Sequence, residues 1–168
     1  MERKTTIKAE EGKQDLVITR EFDLPVELLF KAYEEPDLVE QWMGTKVLKL
    51  ENKRHGSWQF ATSDAHGNVV LQTNGTIHAF VPNQQIIRTF EMESTPDSAI
   101  RFPVQLEFLE FEPLADDRSK LTMQIVYRSV ADRDRMLQLP FAKGINMAHN
   151  RLQDVAGKLK ALDHDKTK

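Results

Sequence analysis

The chain has no cysteine. Disulfide bridges, thiolate metal ligands and cysteine nucleophiles are therefore excluded together, which is what a reducing compartment allows. Glycine is sparse and spread singly, seven residues in all. No phosphate-cradling loop, dinucleotide fingerprint or Gly-x-Ser-x-Gly elbow can be assembled from it, whichever serine is tried. Long apolar runs are missing: no stretch approaches the ~20 residues of a membrane span. Met1-Glu2-Arg3-Lys4-Thr5-Thr6 also has no apolar signal core. An excess of either charge is lacking too, since the formal net charge is -3 with Lys and Arg scattered rather than striped. Neither nucleic acid nor a membrane is an expected partner, and a cytoplasmic protein is expected. The five histidines, His55, His66, His78, His149 and His164, show no metal-ligand spacing. Carboxylate pairs such as Glu91 with Glu93 and Glu110 with Glu112 fall two apart on strands and read as solvated charge. No cofactor is expected, and nothing demands an enzyme.

What the chain does have is a long helical stripe near its end. Ile145, Ala148, Leu152, Val155, Leu159 and Leu162 follow at steps of three and four, which places them on one helix face. Asn150, Gln153, Asp154, Lys158 and Lys160 fall on the opposite face, expected to meet solvent. From Phe141 to Leu162 such a helix is about 33 Å long, enough to cross a six-stranded sheet at ~4.8 Å per strand. Pro140 should kink this helix or begin it anew.

The sheet is written into the preceding residues. Leu16 to Phe22 is a β-branched first strand, and Val26, Leu29, Phe30 and Tyr33 mark a short helix that Pro36 stops. A second short helix ends near Trp42-Met43-Gly44. From Lys46 the period becomes two. Turn signals, among them Pro82-Asn83, Thr95-Pro96-Asp97 and Asp116-Asp117, separate strands at 46–51, 57–63, 69–80, 85–92, 101–112 and 119–128. The expected architecture is α+β: a curved antiparallel sheet of about seven strands around a long C-terminal helix, with two short helices after the first strand. Residues 15–162 form one expected domain, residues 1–14 a flexible lead-in or frayed edge strand, and residues 163–168 a disordered tail.

Several segments carry a family resemblance. Thr19 to Tyr33, then Glu35-Pro36-Asp37-Leu38-Val39-Glu40-Gln41-Trp42, resemble the opening of START-like (SRPBCC, helix-grip) proteins related to the activator of the heat-shock protein 90 ATPase. The later marks run in the same order: His55-Gly56-Ser57-Trp58-Gln59-Phe60, Gly75-Thr76-Ile77, Pro82 before Ile86-Ile87-Arg88-Thr89, Phe111, Leu121-Thr122, Arg133-Asp134, Gly144 and Arg151-Leu152. The resemblance implies a helix-grip fold whose terminal helix and sheet enclose a cavity. Two departures stand near the mouth of that cavity: Pro140, and His55-Gly56 in place of a double glycine.

Arg88 shares strand parity with Ile86 and Phe90, so its guanidinium should face the concave side, where it needs a partner. Glu107 and Gln105, on a later strand, are the expected partners. Arg88 is either an anchor for a ligand's polar head or a structural ion pair. Trp58, Phe60, Phe90, Met92, Phe108, Phe111, Met136 and Met147 supply large adaptable apolar groups for a lining or a core. The candidate ligand-binding set is Trp42, Trp58, Phe60, Ile77, Arg88, Phe90, Glu107, Met136, Phe141, Ile145, Ala148, His149 and Leu152. His149 flanks the stripe, where a capping or surface role is the plainer reading. The expected function is binding of a small apolar or amphipathic ligand. The resemblance also implies two alternatives, a chaperone- or stress-related interaction module and a cyclase, dehydratase or hydrolase using the same cavity.

Overall fold

The period-two segments close into one continuous sheet. The computed structural model describes residues 3–94 and 101–166. Its elements are β1 (Thr6–Lys8), β2 (Asp15–Phe22), α1 (Val26–Glu34), α2 (Pro36–Met43), β3 (Lys46–Leu50), β4 (Ser57–Ser63), β5 (Val69–Val81), β6 (Gln85–Ser94), β7 (Arg101–Leu114), β8 (Arg118–Val126), α3 (Val130–Leu137) and α4 (Phe141–Lys166). The sheet is antiparallel and open, in the order β1-β2-β8-β7-β6-β5-β4-β3. Consecutive strands from β3 to β8 are neighbours, as short turns dictate. The helical detour through α1 and α2 carries β2 and β3 to opposite sides of that meander, and β2 pairs with β8 along its whole length.

The sheet has eight strands where about seven were expected. The added one is β1, inside the stretch read as a lead-in or frayed edge. It pairs Thr6 with Thr19 and Lys8 with Val17, and the Thr5 N–H donates to Asn146 Oδ1 of α4 at 3.0 Å. Helix α4 continues to Lys166, into the segment expected to be a disordered tail. The expected turn at Thr95-Pro96-Asp97 lies outside the described residues. Pro140 acts as expected: α3 ends at Leu137 and α4 begins at Phe141. Helix α3 starts where the Ser129 side chain accepts from the Asp132 N–H, and α2 stops at Gly44 with φ 66°.

Alternation along the strands buries Leu16, Ile18 and Phe22 of β2, Leu121, Met123 and Ile125 of β8, and Leu109 and Phe111 of β7 on the concave side. Helix α1 answers with Leu29, Phe30 and Tyr33. The Phe30 and Tyr33 rings meet Phe111 edge-on at 4.9 and 5.4 Å. Leu152 and Ala156 of α4 join this same core.

Two expectations about α4 are overturned. Leu162 is 56% exposed, so the stripe runs off the core before its last member. The face opposite the stripe is also occupied. Asn150 Oδ1 accepts from Arg20 Nη2 at 2.9 Å, Gln153 Oε1 accepts from the Asp23 N–H at 2.9 Å, and Lys160 Nζ donates to the Asp23 carbonyl at 3.3 Å. Elsewhere on the helix Arg151 Nε donates to the Trp42 carbonyl at 2.9 Å. The helix is held against β2 and helix α2, where Asn150, Gln153 and Lys160 meet arginine and backbone, while Asp154 and Lys158 of the same face are exposed as expected.

Candidate functional site

The centre of the concave face is a row of register partners crossing five strands: Ile77, Arg88, Glu107, Ile125 and Leu16. All five are buried, so the two charged members must answer each other. Arg88 Nε donates to Glu107 Oε1 at 2.9 Å. The guanidinium also lies over the Trp58 ring, 4.9 Å from its centroid. Trp58 is fixed in turn: its Nε1 donates to the Thr89 carbonyl at 3.2 Å, and its ring packs on Phe60 and Phe90 at 4.8 and 5.6 Å.

Local sequence explains why the indole fits. Gly75 is the register partner of Trp58, and a Cβ at that position would collide with the Thr89 carbonyl and the Trp58 ring. At the base of the same strand His55 takes φ 68°, the left-handed region glycine adopts without strain, where the resemblance would place a second glycine.

Tyr33 of α1 reaches the ion pair from above. Burial pushes its phenol up, the Arg88 charge pulls it down and the Glu107 charge pushes it up again, so both charges are felt at its hydroxyl. Tyr127 meets the pair from the far side: burial is again the main cause of its upward shift, followed by Glu107, with Arg133 opposing. Both phenols are held neutral.

The apolar candidates fall into two groups. Trp58, Phe60 and Ile77 pack with Val39, and Phe90 lies against them. Trp42, Met136 and Leu152 belong to the larger core, with Phe141, Ile145 and Ala148 packed partly buried on its margin. Met43 and Phe80 touch both groups. Arg88 stands on the Trp58 side and Glu107 beside Ile125 and Leu109, so the ion pair bridges the two.

A family profile described as "Activator of Hsp90 ATPase homolog 1-like protein" matches residues 23–157. The chain belongs to that family. Solved structures agree on the fold. A protein from Arthrobacter aurescens is 15% identical with a TM-score of 0.79, covering 91% of each chain. One from Rhodobacter sphaeroides is 19% identical at 0.76, covering 92% of this chain and 99% of its own. One from Mycobacterium smegmatis is 19% identical at 0.74, covering 90% and 96%. Among curated proteins none matches the sequence.

In this Hsp90-activator-like chain some expected residues stand elsewhere. His149, expected at a cap or the surface, is 0% exposed. Its Nδ1 shares a hydrogen bond with Thr5 Oγ1 at 2.7 Å, and its ring meets Phe22 edge-on at 5.6 Å. Burial, then the Arg20 charge, lowers it to about 4. It sits with β2 and the N-terminal strand rather than with the Arg88 pair. Met147 is exposed and Phe108 lies half-buried with the opposite strand parity, so neither lines the interior. Gln105, expected beside Arg88, is buried two register positions away, opposite Phe90.

Three further buried polar residues, Arg20, Tyr127 and Arg133, lie outside the candidate set although strand parity or motif position marks them. Arg20 alternates with Ile18 and Phe22 and bonds Asn146, Asn150 and Thr5. Tyr127 follows Ile125 by two. Arg133 closes the turn before β2, donating to the Glu10 and Asp15 carbonyls at 2.6 and 3.1 Å. Beside Gln105 and Tyr127 a space of about 10 Å³ is bounded by Phe102, Asp132 and Arg135. A hollow of about 480 Å³ near β1 is lined by mixed charge, including Arg3, Lys4, Glu21, Glu112 and Lys120. Among the described residues no acid or histidine group could hold a metal ion, and no helix is long and apolar enough to cross a membrane.

Proposed function

We propose that this protein binds a small amphipathic molecule between α4 and the concave face of the sheet, without catalysing a reaction on it. The observation that carries this reading is the Arg88–Glu107 pair, stacked on Trp58 and bridging two apolar clusters. A buried ion pair is a poor stabilising device, since well-packed hydrophobic replacements are often as stable or more so. Placed among Trp58, Phe90 and Ile77 it is instead a polar mark on an apolar wall, the arrangement that orients a ligand. Because Glu107 already answers Arg88, the wall around the pair suits an uncharged ligand better than a carboxylate. The apolar part of the ligand would lie against Trp58, Phe60 and Phe90 on one side and Ile145, Ala148 and Leu152 on the other. Partly buried Phe90, Phe141 and Ile145 are the side chains that would move aside.

Held neutral by burial, the Tyr127 phenol keeps the proton it would donate to a bound molecule. Melting temperature against a panel of alkanes, fatty alcohols, methyl ketones and isoprenoids tests the reading. A ligand present at about 100 times its Kd adds about 2.7 kcal/mol, or roughly 5–10 °C for a chain of this size. No shift with any of them, together with native mass spectrometry finding no retained small molecule, would end it. The family's description motivates a second reading, a chaperone-interaction module, for which co-purification of a chaperone ATPase is the positive outcome.

A further inference from the structure

We propose that the ligand's polar end is an uncharged hydrogen-bond acceptor, a carbonyl or ether oxygen, received by the Tyr127 hydroxyl where helix α3 meets strand β7. This rests on the ligand-binding reading above and names the chemistry of its polar end. Tyr127 is 5% exposed, and its hydroxyl has no hydrogen-bond partner among the described residues. A buried hydroxyl left unmet is costly, so one kept at the wall of a cavity calls for an occupant. The space it borders, about 10 Å³, holds about one oxygen atom, the size of a carbonyl or ether head and of a single water. Gln105, 6% exposed, borders the same space.

The chemistry favours a neutral acceptor. Burial keeps the phenol protonated, so it donates. Two arginines line the space, but Arg128 is paired with Asp132 and Arg135 lies over the Phe102 ring, so neither is set aside for an anionic head. The seam is also where an apolar tail can enter. Arg135 lies over the Phe102 ring at 4.8 Å, Arg128 pairs with Asp132 at 3.0 Å, and the eight-residue α3 is separated from α4 by the Pro140 break. From that seam Gln105 leads to Phe90, its register partner, and so to the Trp58 cluster.

The experiment uses the full chain, wild type and Tyr127→Phe, with three probes of similar length: 2-undecanone, undecane and decanoate. The wild type should bind the ketone more tightly than the alkane or the anion. Tyr127→Phe, which removes an unmet group, should melt in the empty state no lower than wild type. It should bind 2-undecanone about tenfold more weakly while binding undecane unchanged. With a ¹³C label in the ketone, the carbonyl resonance should move downfield in the wild-type complex and not in the variant complex. A lower melting temperature of the empty variant would mean the hydroxyl is satisfied inside the protein, and would overturn the assignment. Unchanged ketone affinity in the variant, or no preference among the probes, overturns it too while leaving ligand binding standing. Failure of all three probes, undecane included, removes the ligand-binding reading and this one with it.

Discussion

His149 is the group whose titration the fold resists most directly. In the unfolded chain an imidazole titrates near 6.5, whereas in the folded protein burial, then the neighbouring Arg20 charge, lowers it to about 4. Between those values the unfolded state binds more protons than the folded one, so stability falls as pH falls. The contribution is fully present above pH 6.5, declines through the window and is gone below about 4. At 1.36 kcal/mol per pH unit the whole span is about 3 kcal/mol, or roughly 6–12 °C of melting temperature. Urea denaturation of wild type and His149→Gln, from pH 7.5 to 4, isolates the effect. His55, His66 and His78, the acids and the lysines are common to both proteins and cancel in the difference. The gap between the two stabilities should shrink by about 3 kcal/mol as pH falls from 7 to 4. Parallel curves for the two proteins would refute the reasoning, because His149 would then charge as easily inside the fold as outside it.

Glu107→Ala leaves Arg88 buried beside Trp58 without its carboxylate and should lose about 3–5 kcal/mol by urea denaturation. The double variant Arg88→Met/Glu107→Leu should recover most of that, and equal loss in both would mean the ion pair itself stabilises the fold. Gly75→Ala drives a methyl into the Thr89 carbonyl and the Trp58 ring, so a loss of about 1–3 kcal/mol and altered tryptophan fluorescence are expected; unchanged emission would contradict the packing. His55→Gly relieves a left-handed residue and should gain up to about 1 kcal/mol in thermal melting, a loss counting against strain at that turn. Leu152→Ala should lose about 2–5 kcal/mol while Leu162→Ala stays within about 0.5, and comparable losses would place the end of α4 against the core after all.

Much of this site was legible because β6 and β7 alternate without a register shift from Ile86 to Phe90. Ile86, Arg88 and Phe90 share parity, so an inward arginine follows from spacing alone, and its need for a partner points to an acid of the same parity on a neighbouring strand. The same logic covers Arg20 and Tyr127, which needed only the inward pattern to be carried to the strand ends. What alternation cannot supply is the partner of a helix. A helical wheel assumes water opposite the stripe, yet Asn150, Gln153 and Lys160 serve Arg20 and the Asp23 backbone across more than a hundred residues of sequence. For strand β1 the sequence left two options open, a flexible lead-in or a frayed edge strand: at three residues it is too short to show a period, and what holds it is the pairing of Thr6 to Lys8 with β2 and the grip of Asn146 and His149 on Thr5.

Those two gaps have one physical origin. The helix stripe and the strand parity describe how each element turns its back on water, which is a local property. The Thr5, Arg20, Asn146, His149 and Asn150 group instead joins the first strand to the last helix through hydrogen bonds, and no window of sequence contains both ends. It closes one end of β2 with polar groups bonded to one another, although His149 Nε2 and Ser119 Oγ there have no hydrogen-bond partner among the described residues. The other end of β2, where Tyr127 is bonded to Gln14, also has a hydroxyl that the described residues leave unmet. In the proposed binding mode the ligand reaches the Tyr127 hydroxyl through the seam between α3 and β7, so α3, and not the N-terminal strand, is the element expected to move when one binds.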